Sequence, residues 1–222
     1  MKSKLFNSDD YKRCESDIKT FLNSQLSKDL GFTGSVREIG DRLKKILANN
    51  LQEIVGDHIK SYRIPSTARA MADFTFVDHD GMKYSVDIIT HNEEKKFSMP
   101  NITSVERLEK LYEDNKCIFV VLLVDYKPSK QKNFISNVRL LPIEYFSWNC
   151  LTIGALGVGQ LQIRKASTIV THIKNSRKDW MREFAETLML FYAKEISKAS
   201  RRLTNAAKTL ETWKNKDDIW KS

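Results

Sequence analysis

The run CIFVVLLV, residues 117–124, is apolar at every position. A strand with one wet face alternates polar and apolar side chains, so an unbroken apolar run reads as a strand covered on both faces. A sheet containing it needs a layer of structure on each side. Helical patterns before and after the run supply those layers, which argues for an α/β or α+β domain, with α/β expected: a central mixed sheet flanked by helices.

The first helical pattern covers residues 9–29, with Ile18, Phe21, Leu22 and Leu26 on one face, and ends at Gly31 and Gly34. Ser35-x-x-Glu38 reads as a capping box for a second helix. Its periodicity turns Ile39, Leu43, Ile46, Leu47 and Ile54 to a core and Arg37, Arg42, Lys44 and Lys45 to solvent. Residues 63–72 read as a loop. Thr103-x-x-Glu106 caps a third helix with Val105, Leu108, Leu111 and Tyr112 inward. Residues 127–133 form a basic turn, residues 138–141 a short strand, and Pro142 opens a short helix over 144–148. The glycine-rich IGALGVGQLQI leads into a strand in which Leu161 and Ile163 alternate with Gln160 and Gln162. From Ser176 the chain reads as helix, with Trp180, Phe184, Leu188, Phe191 and Tyr192 at helical spacing.

The formal charge of +9 favours an anionic partner. Cys14, Cys117 and Cys150 are odd in number and lack metal-ligand spacing, which points to reduced thiols in a cytoplasmic protein. The opening MKSKLFNSDDYKR holds no apolar run fit for a signal peptide, and no segment approaches a membrane span, so no membrane partner is expected.

Chemistry concentrates between the two halves. Asp73 lies in the strand-like ADFTFV and Asp87 in KYSVDIIT, where Ser85, Asp87 and Ile89 share one face and Tyr84, Val86 and Ile88 the other. A hairpin through Asp80-Gly81 can set Asp73 beside Asp87, a carboxylate pair able to hold a divalent cation. An unpaired carboxylate between Val86 and Ile88 would be costly, so a role there is expected. The alternative is two ordinary strand acids beside an ordinary turn.

This layout resembles the PD-(D/E)XK nucleases. The segment DIITHNEEKKFSMPNITSVERLEK is similar to the stretch of the HpaI/HincII type of blunt-cutting restriction endonuclease in which the catalytic strand runs through a polar loop into Pro-Asn-Ile and a helix. Here those elements are Asp87-Ile88-Ile89, Pro100-Asn101-Ile102 and the helix from Thr103. A second block, ALGVGQLQIRK at residues 155–165, resembles the family's glycine-rich segment. The resemblance implies that Asp73, Asp87 and the Ile88 backbone carbonyl hold Mg²⁺. It implies a recognition loop over residues 92–100, with Asn101 facing bases, Lys95, Lys96 and Ser98 near the backbone, and Phe97 and Met99 against a base step. Thr103, Gln160, Gln162 and Lys165 complete the implied DNA surface. Core plugs and a solvent-facing strand are the plain alternatives. A third acid comes from an N-terminal helix in this family, with Glu38 and Asp41 as candidates, and His91 is a candidate phosphate contact.

One position departs from the pattern. Ile89 stands where the family has its catalytic lysine, and an aliphatic side chain cannot donate to a phosphate. Three accounts compete: an engineered change that abolishes cleavage, a natural departure in which Lys95, Lys96 or His91 replaces the ammonium, or a relative that binds without cutting.

The expectation is one restriction-endonuclease-like domain over 1–222, with helices over 1–60 serving dimerisation, a catalytic and recognition core over 72–165, and a helical region over 176–222. In the last, Lys194, Lys198, Arg201, Arg202 and Lys208 are placed to embrace DNA. The implied activity is Mg²⁺-dependent, site-specific cleavage of double-stranded DNA by a homodimer at a short palindrome. The rivals are a sequence-specific DNA-binding protein without cleavage and a repair or junction nuclease of the same fold.

Overall fold

The structure is a computed structural model that describes residues 3–28, 36–66, 70–95, 99–128, 134–154, 159–166, 168–173 and 175–217. The apolar run becomes β5 (Cys117–Lys127), buried at every position but the last. It lies inside a five-stranded mixed sheet of order β1-β2-β3-β5-β6, with β1 at Ser61–Arg63, β2 at Phe74–Val77, β3 at Lys83–Asn92 and β6 at Phe134–Pro142. β3 and β5 run parallel, and the other neighbours are antiparallel.

Two helices cover one face, α2 (Asp10–Lys28) and α3 (Val36–Ile54), preceded by a single turn, α1 (Lys4–Asn7). Ile18, Leu22 and Leu26 of α2 and Leu43, Leu47 and Leu51 of α3 join Val86, Ile88, Val120 and Leu122 in one hydrophobic cluster. Side chains on the opposite face, Ile89, Phe119, Val121 and Leu123, are buried as well. Both faces of β5 are therefore dry, as its composition requires.

α2 also treats the outer edge of β6. Asn23 donates through Nδ2 to the Ile135 carbonyl at 3.1 Å and accepts from the Ile135 N–H at 3.0 Å, and Glu15 accepts from the Leu140 N–H at 2.7 Å. Side chains thus occupy backbone groups that an edge strand otherwise leaves open.

The hairpin between β2 and β3 closes as its Asp-Gly step predicts. Gly81 has φ +82°, and its N–H donates to the Asp78 carbonyl. The sequence did not single out Asp78, whose buried carboxylate accepts from the Asp80 and Met82 N–H groups and from the Tyr84 hydroxyl.

Several expectations are corrected. Thr103 is not the cap of the third helix. It is buried in a short strand, β4 (Asn101–Ser104), and Ser104 caps α4 (Val105–Leu111) by accepting from the Arg107 N–H. β4 joins β7 (Leu151–Gly154) and β8 (Gln160–Ile163) in a second sheet of order β4-β8-β7. Either hydroxyl of the Thr103-Ser104 pair can cap a helix, and the pairing of β4 with β8 decides the matter. Pro142 opens only a 3-10 turn, Ile143–Tyr145. The strand expected at 138–141 is the longer β6, and Ser61–Arg63 adds an edge strand that was not foreseen. Ser35, residues 129–133 and residues 155–158 of the glycine-rich segment lie outside the described residues.

The chain divides into two units, Met1–Arg177 and Lys178–Ser222. The second contains α5 (Arg177–Lys214) from its second residue on, and within it the Trp180 and Phe184 rings stack. Among the described residues no helix is long and apolar enough to cross a membrane.

Candidate active site

The β2–β3 register places Phe74 opposite Val86, and one step further out the Asp73 N–H donates to the Val86 carbonyl at 2.9 Å. Asp73 therefore ends beside Asp87, near enough for its charge to disfavour the ionised Asp87 carboxyl. Asp73 Oδ2 accepts from the Ile88 N–H at 2.7 Å, which fixes its side chain against β3. Asp87 is held well above the usual carboxylate range. Burial is the largest cause, the Asp73 charge and hydrogen bond add to it, and Lys44 opposes them.

Lys44 is the residue that the sequence reading placed elsewhere. Its periodicity gave it to solvent, but its Nζ lies 3.1 Å from Asp73 Oδ2, with the two side chains 33% and 27% exposed. That exposure leaves the group open to a substrate from outside. A sequence signal for it existed in Gly40. A glycine inside a helix costs roughly 1 kcal/mol relative to alanine, and so marks a position where something else needs the room. A Cβ at Gly40 would meet Thr90 Oγ1 at 2.7 Å, so the glycine lets α3 approach β3 closely at this point. Lys44 follows one helical turn later.

Ile89 shares the face of Asp87 and is buried at 4% exposure. Ile88 contributes its backbone N–H to Asp73 and its side chain to the core. Glu38 and Asp41 are exposed on α3, and among the described residues no group of three or more acidic, histidine or cysteine side chains could hold an ion. His91 is not a loop residue. It lies in β3, 6% exposed, with Nδ1 3.2 Å from Asp125 Oδ1, while Asp125 Oδ2 accepts from Asn137 and Arg139.

Mg²⁺ is the ion that the resemblance implies, and the donors fit it. Burial, and after it the neighbouring Asp73 charge, raise the Asp87 carboxyl above its ordinary range, and a divalent cation between the two hard carboxylates would offset that cost. Mg²⁺ takes one or two protein carboxylates and fills its remaining positions with water and phosphate.

The residues expected to read DNA fall partly on the second sheet. Asn101 and Gln162 are register partners on β4 and β8, and Gln162 Nε2 donates to Asn101 Oδ1 at 2.6 Å. Gln160 faces the same side and is half-buried. A Cβ at Gly154 would lie 2.5 Å from Gln162 Oε1, so that glycine leaves the room in which the amide rests. Lys95, Met99 and Lys165 are exposed, and Thr103 is buried. Lys96, Phe97 and Ser98 lie outside the described residues.

No protein-family model matches the sequence, and no curated protein matches it either. Among solved structures, the chain is similar to the NlaIV restriction endonuclease over 71% of each chain, at 12% sequence identity and a TM-score of 0.42.

Proposed function

We propose that the chain is a Mg²⁺-dependent endonuclease of the type II restriction class, cutting double-stranded DNA at a short palindrome as a homodimer in the cytoplasm and leaving blunt ends. The observation that carries the reading is the group Asp73, Asp87 and Lys44: two neighbouring carboxylates, the more buried of them raised above its ordinary range, with an ammonium 3.1 Å from the other. Bound between the carboxylates, Mg²⁺ would supply charge neutralisation at the scissile phosphate and acidify an attacking water.

The protein's own residues do the rest. The Ile88 N–H holds Asp73 in place, and the start of β2 holds Asp73 against Asp87. Lys44 offers from α3 the positive charge that the family carries two residues after its second acid. Its ammonium can turn from Asp73 to a phosphate oxygen or to the hydroxide, where charge develops in the transition state. On this reading Ile89 is a natural departure and not a lesion. Asn101 and Gln162 present a linked pair of amides that can meet the edge of an adenine, and Lys95 and Lys165 meet phosphates.

A second reading has one observation in its favour. Lys44 already neutralises Asp73, so the group can also stand as an internal ion pair in a protein that binds DNA without cutting it. Plasmid cleavage in Mg²⁺ and in EDTA, with the fragment ends sequenced, separates the two. Discrete blunt fragments in Mg²⁺ alone are expected, and specific binding with no strand scission at any Mg²⁺ concentration would leave the second reading standing.

A further inference from the structure

α5 is a helix of 38 residues, about 57 Å long at 1.5 Å per residue. Every residue from 197 to 217 is exposed. A single helix in water is marginal, and most helical stability comes from an apolar face laid against something. The face exists here. Met189, Ile196, Leu203 and Leu210 recur at intervals of seven and are 72%, 70%, 73% and 58% exposed. Three residues after each comes a second row, Tyr192, Ala199, Ala206 and Trp213, of which Trp213 is 64% exposed.

Two rows at this spacing are the a and d positions of a coiled coil. Of the neighbouring e positions, Ala193, Ser200 and Ala207 are uncharged and only Lys214, in the last turn, carries a charge. Lys194, Arg201 and Lys208 also recur at intervals of seven, at the f position on the side away from the seam. These three cations are thus turned away from the surface that two copies would share, whereas Arg202 and Lys214 flank it.

We infer that α5 pairs with α5 of a second copy of this chain, running antiparallel. The order of large and small side chains selects both the occupant and its direction. Antiparallel coiled coils set a positions against d positions. With the twofold axis at the height of Arg201, Ile196 lies against the partner's Ala206, Leu203 against the partner's Ala199, Leu210 against the partner's Tyr192 and Met189 against the partner's Trp213. Each central layer then holds one large and one small residue. A parallel pair in register would stack alanine on alanine and leucine on leucine, alternating gaps with bulges, which a close-packed seam does not tolerate. Arg202 lies near the axis on each copy, and its long stem lets the guanidinium turn to water. The seam spans about 37 Å, and burying its exposed side chains approaches the roughly 800 Å² per partner of a standard interface. This pairing does not depend on the nuclease reading.

Sedimentation velocity of the full chain tests it. A dimer at micromolar concentration is expected, and Ile196→Glu and Leu203→Glu should each weaken it by about tenfold or more, the cost of placing an unpaired charge in an apolar seam. Both positions are exposed in the single chain, so the thermal unfolding of the monomer should be unchanged. A wild-type chain that stays monomeric, or a dimer that neither substitution weakens, overturns the inference. Direction is read with a short bis-maleimide. Ser200→Cys, beside the axis, should cross-link, and Ala206→Cys, about 15 Å from its own copy, should not. Cys14, Cys117 and Cys150 are buried and leave the readout clean. Cross-linking at position 206 with none at 200 overturns the antiparallel register.

Discussion

Lys44 Nζ lies 3.1 Å from Asp73 Oδ2, so the cation beside the acidic pair comes from a helix and not from the strand that carries Asp87. Position 89 on that strand is a buried isoleucine. Charge and scaffold are thereby separated: β3 fixes a carboxylate, and α3 brings the ammonium on a flexible stem.

The first prediction follows from that separation. Lys44→Ala should lower single-turnover cleavage by about 10²–10³-fold, the loss typical when one preorganised donor is removed from a transition state. Adding Ile89→Lys to Lys44→Ala should restore a substantial part, because a lysine there points to the same face as Asp87. Full activity in Lys44→Ala would show that another group carries the charge.

The second concerns pH. Asp87 has a raised carboxyl in the folded state, so folding takes up a proton there at pH values between the unfolded value, about 3.9, and the folded one. The stabilisation is complete below the unfolded value and is lost as pH rises through the folded value. Above it, an ionised Asp87 destabilises the fold. In metal-free buffer Asp87→Asn should therefore raise Tm at pH 8, by about 2–4 °C for each kcal/mol relieved in a chain of this size. The gain should vanish below pH 4, and the same substitution should abolish cleavage. Calorimetry at the two pH values checks it, and equal gains at both would mean that the carboxyl's charge is not the cause.

Gly40 supplies the third. Gly40→Ala should push α3 away from Thr90, withdrawing Lys44 from Asp73 and reducing cleavage by more than the change in stability accounts for. The extra helix propensity of alanine, roughly 1 kcal/mol, offsets part of the strain. Adding Thr90→Ala removes the Oγ1 atom that is struck and should return activity toward the wild-type rate. Unfolding curves alongside the rates separate the two effects.

The fourth tests the amide pair. Asn101→Ala should cost roughly 1–3 kcal/mol of discrimination at one or two base pairs and leave affinity for random duplexes nearly unchanged. Gly154→Ala should place a Cβ about 2.5 Å from the present position of Gln162 Oε1, displace that amide and alter the same base preference without substituting Asn101. Lys165→Ala should instead weaken all sequences alike and flatten the dependence of binding on salt. Competition binding against a library of single-base variants reads all three.

How much of this was legible in the sequence depended on the length and spacing of each signal. β5 was plain because eight successive apolar residues have few other uses, and the acidic hairpin was plain because Asp80-Gly81 fixes a turn. Lys44 was not, since helical periodicity sorts residues into two faces and says nothing of a long stem on the boundary that reaches around it. Of the second sheet only β8 was read, because β4 and β7 have four residues each and no clean alternation of polar and apolar side chains. The Asp125 cluster combines residues from β3, β5 and β6, and only the tertiary pairing of the strands brings them together.

Asn23 and Glu15 have a further consequence. A bare strand at the rim of a sheet is a template on which other chains can grow, and it is a common origin of aggregation. On β6 the Ile135 and Leu140 groups are already bonded to α2, so strand addition at this rim must first undock part of a helix. Solubility is in this way made conditional on the native packing of α2. A partly unfolded chain that has released α2 exposes a sticky rim and its apolar core together, and that species, not the folded protein, should seed precipitates on heating.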